Sequence, residues 1–180
     1  MSITLSGTTL TFNDSSFQTT APKATGMYVS GGIYLGIFST YHLIVSTFNY
    51  ETTRQWKTTN TSTSGTSSTT DGLANTNAMN NTTHPAAYYC WASMDGVGGV
   101  NDWYLPAKDE LNIVYRFAST GIVGNYASAH YWSSTEYNAT SSWCQLFSYG
   151  PQSNTDTYGH ANGTGKTSTY YVRPVRRLSL

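Results

Sequence analysis

The chain has 180 residues, of which 10% are charged, and nine Lys and Arg offset nine Asp and Glu to a formal net charge of +0. That length suits one domain with a core of its own rather than two. A neutral chain excludes the basic face that nucleic acid or an anionic membrane needs. Ser, Thr, Asn and Gly stand where charge is missing, together with 15 Tyr and 5 Trp. Tyr among Ser, Gly and Asn makes good binding surface, because it covers area at low entropic cost; a β-rich polar exterior without a ligand has the same composition.

Residues 1–25 read as an arm and 26–180 as the body. In SITLSGTTLTF, Ile3 and Leu5 alternate with Thr4 and Ser6, and Leu10 and Phe12 alternate again after Gly7 and Thr8. Two strands this short are marginal in water by themselves. Ile3, Leu5, Leu10 and Phe12 are therefore expected to anchor the arm to its own body, a neighbouring subunit or a larger assembly. Pro22 to Gly26 form the linker. No basic-then-apolar leader and no run long enough for a membrane helix is evident.

The body opens with a strand carrying Ile33, Leu35 and Ile37 in alternation, then a more buried one with Leu43, Ile44 and Val45. Tyr50 and Trp56 read as packing residues. Thr58 to Thr70 is a polar loop without periodicity. Asp71 can cap a helix over Leu73, Ala74, Asn77 and Ala78, and a short turn after His84 and Pro85 carries Ala86, Ala87, Tyr89 and Cys90. Gly96, Gly98 and Gly99 bend the chain into its central stretch. There Trp103 and Leu105 alternate toward a core, and Pro106 suits the first turn of a helix. Leu111, Val114, Tyr115 and Ala118 form its apolar stripe, Lys108, Asp109, Asn112 and Arg116 its wet side, and Gly121 its stop. Two strands follow, with Trp132 opposite Tyr131 and Ser133, and Trp143, Gln145 and Phe147 opposite Cys144, Leu146 and Ser148. Pro151 to Lys166 is a second polar loop. STYYVRPVRRL closes the chain as a last strand, ended or held at an edge by Pro174. Strands, helices, then strands again make the fold class α+β.

Several blocks resemble one family. NDWYLPAKDELNIVY, YWSSTEYNATSSWCQLFSYG and YYVRPVRR, with GGIYLGIFSTYHLIVS, GLANTNAM and AAYYCWASMDGVGGVNDW upstream, are similar to the Lcl C-terminal-like family over Gly31 to Arg177. That family comprises C-type-lectin-fold domains of bacterial surface and phage structural proteins. The resemblance implies a C-type-lectin-like body of two helices packed on antiparallel strands, preceded by the short β arm. ITLSGTTLTFNDSSFQTTA also resembles the short N-terminal segments of phage tail-fibre and other virion proteins.

Candidate chemistry is sparse. Sugar-binding C-type lectins hold Ca²⁺ on a Glu-Pro-Asn or Gln-Pro-Asp loop and a Trp-Asn-Asp strand, and neither occurs here, so no metal and no cofactor is expected. Formylglycine-generating enzymes share the fold, but nothing around Cys90 or Cys144 is like their reactive cysteines; these two are expected to be buried thiols. His42, His84, His130 and His160 are scattered and read as surface polar groups, and no catalytic constellation appears. Glu110 stands where a capping box would need a Ser or Thr three residues earlier, but Ala107 is there. It is expected instead to pair with Arg173 or Arg176. Trp132 and Trp143 read as core. The candidate ligand surface is Tyr131, Tyr137, Asn138, Tyr149, Asn154, Tyr158 and His160, aromatic faces with amide partners suited to a glycan or protein. The expected role is non-enzymatic: a phage virion protein, a short tail fibre or fibre-tip adhesin at the virion surface. It would touch host glycan or protein non-covalently, other virion proteins through its arm, and copies of itself as a homotrimer. A capsid decoration or head-fibre protein and a bacterial surface module are the alternatives.

Overall fold

Pro174 decides how the last apolar run is used. It divides the expected single strand into β11 (Thr169–Val172) and β12 (Val175–Ser179), which join different sheets. A residue without an N–H cannot continue a ladder, so the chain leaves one sheet there and enters the other. The computed structural model describes residues 4–6, 9–11, 17–18, 24–148, 152–153 and 165–180.

One body sheet holds β4 (Tyr28–Val29), β5 (Gly32–Phe38), β6 (Tyr41–Ser46) and β12 in the order β12-β6-β5-β4. The other holds β7 (Thr52–Gln55), β8 (His130–Glu136), β9 (Ser142–Leu146), β10 (Gln152–Ser153) and β11 in the order β10-β9-β8-β11-β7. Only β11 against β8 is parallel among these pairs. Near the N-terminus, β1 (Thr4–Ser6), β2 (Thr9–Thr11) and β3 (Phe17–Gln18) form a sheet of their own, with Leu5 opposite Leu10 and Leu10 opposite Gln18. Ile3, Phe12 and the side chains of Leu5 and Leu10 lie outside what is described. Among the described residues three α-helices, rather than two, complete the α+β body: α1 (Gly72–Asn77), α2 (Pro85–Tyr88) and α3 (Lys108–Ser119).

Local chemistry accounts for most boundaries. Asp71 caps α1 as expected, its Oδ1 accepting the Ala74 N–H at 3.0 Å. α1 is poor in helix formers, and tertiary bonds hold it. Asn75 is fully buried and donates to the Ser68 carbonyl and the Ser134 hydroxyl, while the Thr76 hydroxyl accepts the Leu105 N–H at 3.0 Å. Ala107 is the N-cap of α3, so Pro106 lies just outside the helix and not in its first turn. Gly121 ends it with φ +77. Strict alternation fails in β5. A bulge between Tyr34 and Gly36, which takes φ +116, buries Tyr34 and Leu35 together and leaves Ile37 62% exposed. A register slip of one residue exchanges the faces.

The central stretch joins the layers. Tyr104 pairs with Val175 by two backbone hydrogen bonds, 2.8 and 2.9 Å. Its neighbours do not share a core as their alternation suggests. Trp103 packs with Tyr34, Ile44 and Met94; Tyr104 with Leu43, Val45 and Val114; Leu105 with Trp56, Cys90 and Trp132. Three consecutive buried side chains, each contributing about 1.5–3 kcal/mol, thus plug three separate clusters. Cys90 and Cys144 are both buried thiols, and burial pushes Cys90 well above the usual thiol range. Among the described residues no helix is long and apolar enough to cross a membrane.

Candidate functional site

β8 is an inner strand of its sheet, and both of its faces are covered. Tyr131 is therefore fully buried, not exposed: its hydroxyl donates to Glu51 Oε2 and accepts the Ala127 N–H, both at 2.8 Å. Its ring lies 4.2 Å from that of Phe147. Tyr131 leaves the candidate surface for that reason. Tyr137 stays on it, 50% exposed, with its ring edge-on to Trp143 at 5.7 Å. Lys108 Nζ sits 4.7 Å from the Trp143 ring centre. Trp143 is only half-buried, so it belongs to this aromatic patch, whereas Trp132 is core as expected. Asn138 is exposed, but its side-chain oxygen accepts the Thr140 N–H, the Thr140 hydroxyl and the Ser141 N–H, which shapes the β8–β9 turn. Tyr149, Asn154, Tyr158 and His160 lie outside the described residues.

Glu110 pairs with neither arginine. Arg173 bonds Glu51 at 2.9 Å, and Arg176 grips both oxygens of Asp102 at 2.7 and 2.9 Å. Glu110 is fully buried and accepts four hydrogen bonds. Tyr41 and Tyr104 hydroxyls reach Oε1 at 2.5 and 2.7 Å; the Gly72 and Ala107 N–H groups reach Oε2 at 3.1 and 2.7 Å. The Ala107 bond is the glutamate half of a capping box, which needs only a backbone N–H at the N-cap. Burial pushes this carboxyl up, and the four hydrogen bonds pull it down. A Cβ on Gly72 would come within 2.4 Å of Oε2, so glycine is needed for this approach.

Above that network opens a cleft of about 540 Å³ between the β5–β6 turn, the start of α1 and β12. Tyr41 forms part of its floor. Asp71 and Asp102 line it with side chains 41% and 40% exposed, and Arg177 bonds Asp71 Oδ1 at 3.1 Å. The Arg177 guanidinium lies 5.2 Å from the Tyr41 ring centre. Ser39, Thr40, Thr70 and Ser179 complete the rim. These residues come from four distant parts of the chain, and no spacing between them marks a site in the sequence.

A second polar cluster holds down the loop of residues 58–70. Lys57 Nζ donates to the carbonyls of Thr61 and Ser62 and to the Thr63 hydroxyl. The Thr63 hydroxyl in turn lies 2.9 Å from His84 Nε2, and His84 Nδ1 lies 2.9 Å from Asn81 Oδ1. With Thr63 accepting from the lysine, its proton goes to a bare Nε2, so the neutral Nδ1–H tautomer fits this chain of bonds. His84 is 4% exposed and not a surface group. Burial first, then Lys57 and Lys166, lower its pKa from 6.5 to about 4, with Glu136 opposing. The remaining described histidines are half-buried: His42 bonds the Tyr34 hydroxyl at 2.8 Å, and His130 stacks on Tyr170 at 5.0 Å.

A neutral imidazole in the fold and a protonated one in the unfolded chain mean that acid favours unfolding. The unfolded chain binds the extra proton throughout the interval between the two pKa values. Stability should be whole above pH 6.5 and fall as the pH drops toward 4, by about 2 kcal/mol between pH 7 and pH 5 from this group. Urea unfolding of wild type and His84→Gln across that range checks it: the variant, though weaker at pH 7, should lose that much less. Parallel pH profiles would remove the argument.

The family model of the Lcl C-terminal domain matches residues 47–176, most of the chain. Among curated proteins, none matches.

Proposed function

We propose, from the premise that this chain belongs to the Lcl C-terminal domain family, that it is a phage virion protein with a C-type-lectin-like body, a short tail fibre or fibre-tip adhesin. Its work is non-covalent contact with host-surface glycan or protein, without catalysis, metal or cofactor. The observation that carries the reading is the unlike make-up of the two parts. Three N-terminal strands pair among themselves in a sheet separate from both body sheets. The body sets an exposed Tyr137 beside Trp143 and Lys108 on a nearly uncharged exterior. An aromatic ring with a wet edge and a polar neighbour gives contact area and a hydrogen bond together. The arm would fasten the body to other virion proteins and bring three copies together.

Adsorption tests the reading. Purified protein should compete with phage for host cells, and Tyr137→Ala should compete at least tenfold less well while melting at the same temperature. Gold-labelled antibody on intact particles should mark tail tips. Label spread over the capsid, with no competition by the purified protein, would replace this reading by the decoration one.

A further inference from the structure

The cleft above Tyr41 has a chemistry that the aromatic patch lacks. Its described rim offers the hydroxyls of Ser39, Thr40, Thr70 and Ser179, none of which makes a hydrogen bond among the described residues. Its two carboxylates are fixed rather than loose. Asp71 is held by the Ala74 N–H and Arg177, Asp102 by the two-pronged grip of Arg176. Each carboxylate has about four lone-pair positions, so both keep acceptor capacity toward the opening. Arg177 is positioned by Asp71 and the Tyr41 ring, with donors left over.

Backbone adds to this. Val175 turns its N–H and C=O away from β6 to bond Tyr104, while Pro174 offers its carbonyl to Ser46. Main-chain groups alternate sides along an antiparallel strand, so those of Arg177 and Ser179 also face away from β6, toward the cleft. Donors and acceptors thus alternate around a wet, rigid concavity whose floor is fixed by the Glu110 network.

We propose that this cleft binds an uncharged saccharide through adjacent hydroxyl groups. This goes beyond the aromatic patch of the adhesin reading and assigns a second site with its ligand class. Vicinal hydroxyls donate to a fixed carboxylate and accept from a neighbouring guanidinium, and the fixed geometry avoids an ordering cost on binding. Charge selects against the other classes. Each carboxylate is paired with an arginine, so the charges cancel and neither a sulfated sugar nor a cation gains a net attraction. Leu73 is the one aliphatic side chain in the described lining, too little to hold an apolar peptide side chain. Arg177 covers the Tyr41 ring, so hydrogen bonds rather than ring stacking do the selecting. A single sugar should bind with a Kd near the millimolar range, about −4 kcal/mol.

The experiment is a titration of ¹⁵N-labelled full chain with methyl α-mannoside, methyl α-glucoside and methyl β-galactoside, and with heparin as the sulfated probe. At least one glycoside should shift the amides of Asp71, Asp102, Arg177 and Ser179, saturating at millimolar concentration. Asp71→Asn keeps a good helix cap and should weaken binding at least tenfold, as should Arg177→Gln. Ser179→Tyr, which fills the cleft from an exposed edge position, should abolish the shifts even if either of those variants folds poorly. The inference falls if no glycoside binds, if shifts lie elsewhere, if heparin is preferred, or if all three variants bind like wild type. Protein that competes for host cells yet ignores every glycoside loses this inference and keeps the adhesin reading. Glycoside binding at the cleft in a protein found on the capsid keeps the inference and loses the adhesin.

Discussion

Glu110→Ala is expected to lose about 4 kcal/mol or more of stability, enough to unfold the body under ordinary conditions if its margin is typical. The lost side chain accepts from Tyr41, Tyr104, Gly72 and Ala107, all in a fully buried setting. Removing it strands two backbone N–H groups and the Tyr104 hydroxyl, each costing about 1–3 kcal/mol where water cannot reach, while the Tyr41 hydroxyl keeps the Thr70 carbonyl at 3.2 Å. Glu110→Gln keeps the shape but turns an NH₂ toward two donors, and about 3 kcal/mol should go. Tyr41→Phe and Tyr104→Phe should each lose only about 1 kcal/mol, since the carboxylate keeps its other donors. Urea midpoints for the four variants give the order. An alanine variant within about 1 kcal/mol of wild type would show that the network contributes little.

The second large effect concerns the pair under the loop of residues 58–70. Lys166 is fully buried, 3.2 Å from Glu136 Oε1 and 3.0 Å from the Thr61 carbonyl, with the Trp56 ring centre 4.8 Å away. Burial lowers its pKa, and the glutamate opposes that. Glu136 Oε2 also accepts the Thr63 N–H at 2.7 Å. Breaking such a pair leaves an uncompensated charge, so Lys166→Met and Glu136→Gln should each cost about 3–5 kcal/mol. The double variant should cost less than the sum by at least about 1 kcal/mol, because each partner's stranding is then relieved. In the single variants, hydrogen exchange should rise first at Thr63 and Thr66. Strict additivity would mean that the two groups act independently.

These two networks show where reading along the chain stopped. Three helix boundaries had a local cause: the Asp71 cap, the Pro85 entry, the positive φ of Gly121. Each was legible, because a cap or a turn involves residues a few positions apart. Glu110 was not. Its short-range signal, an alanine at the cap position, pointed away from a capping box, and its partners Tyr41 and Gly72 are 69 and 38 residues distant. Tyr131 failed differently. Alternation in β8 predicts two unlike faces, but a strand between β9 and β11, packed on both sides, has no wet face. Tyr137, two residues past the inner part of that strand, kept its exposure.

What the chain determined alone was the α+β class and most of its local element boundaries. Periodicity, caps and breakers are local, and composition is indifferent to folding. Tertiary structure alone decided the company each polar group keeps. Pro174 sends two neighbouring strands into different sheets, and only then do Arg173, Arg176 and Arg177 part to reach Glu51, Asp102 and Asp71. A buried charge must find its partner in space wherever the partner lies in sequence, so both the cleft and the Lys166–Glu136 pair exist only once the sheets have met.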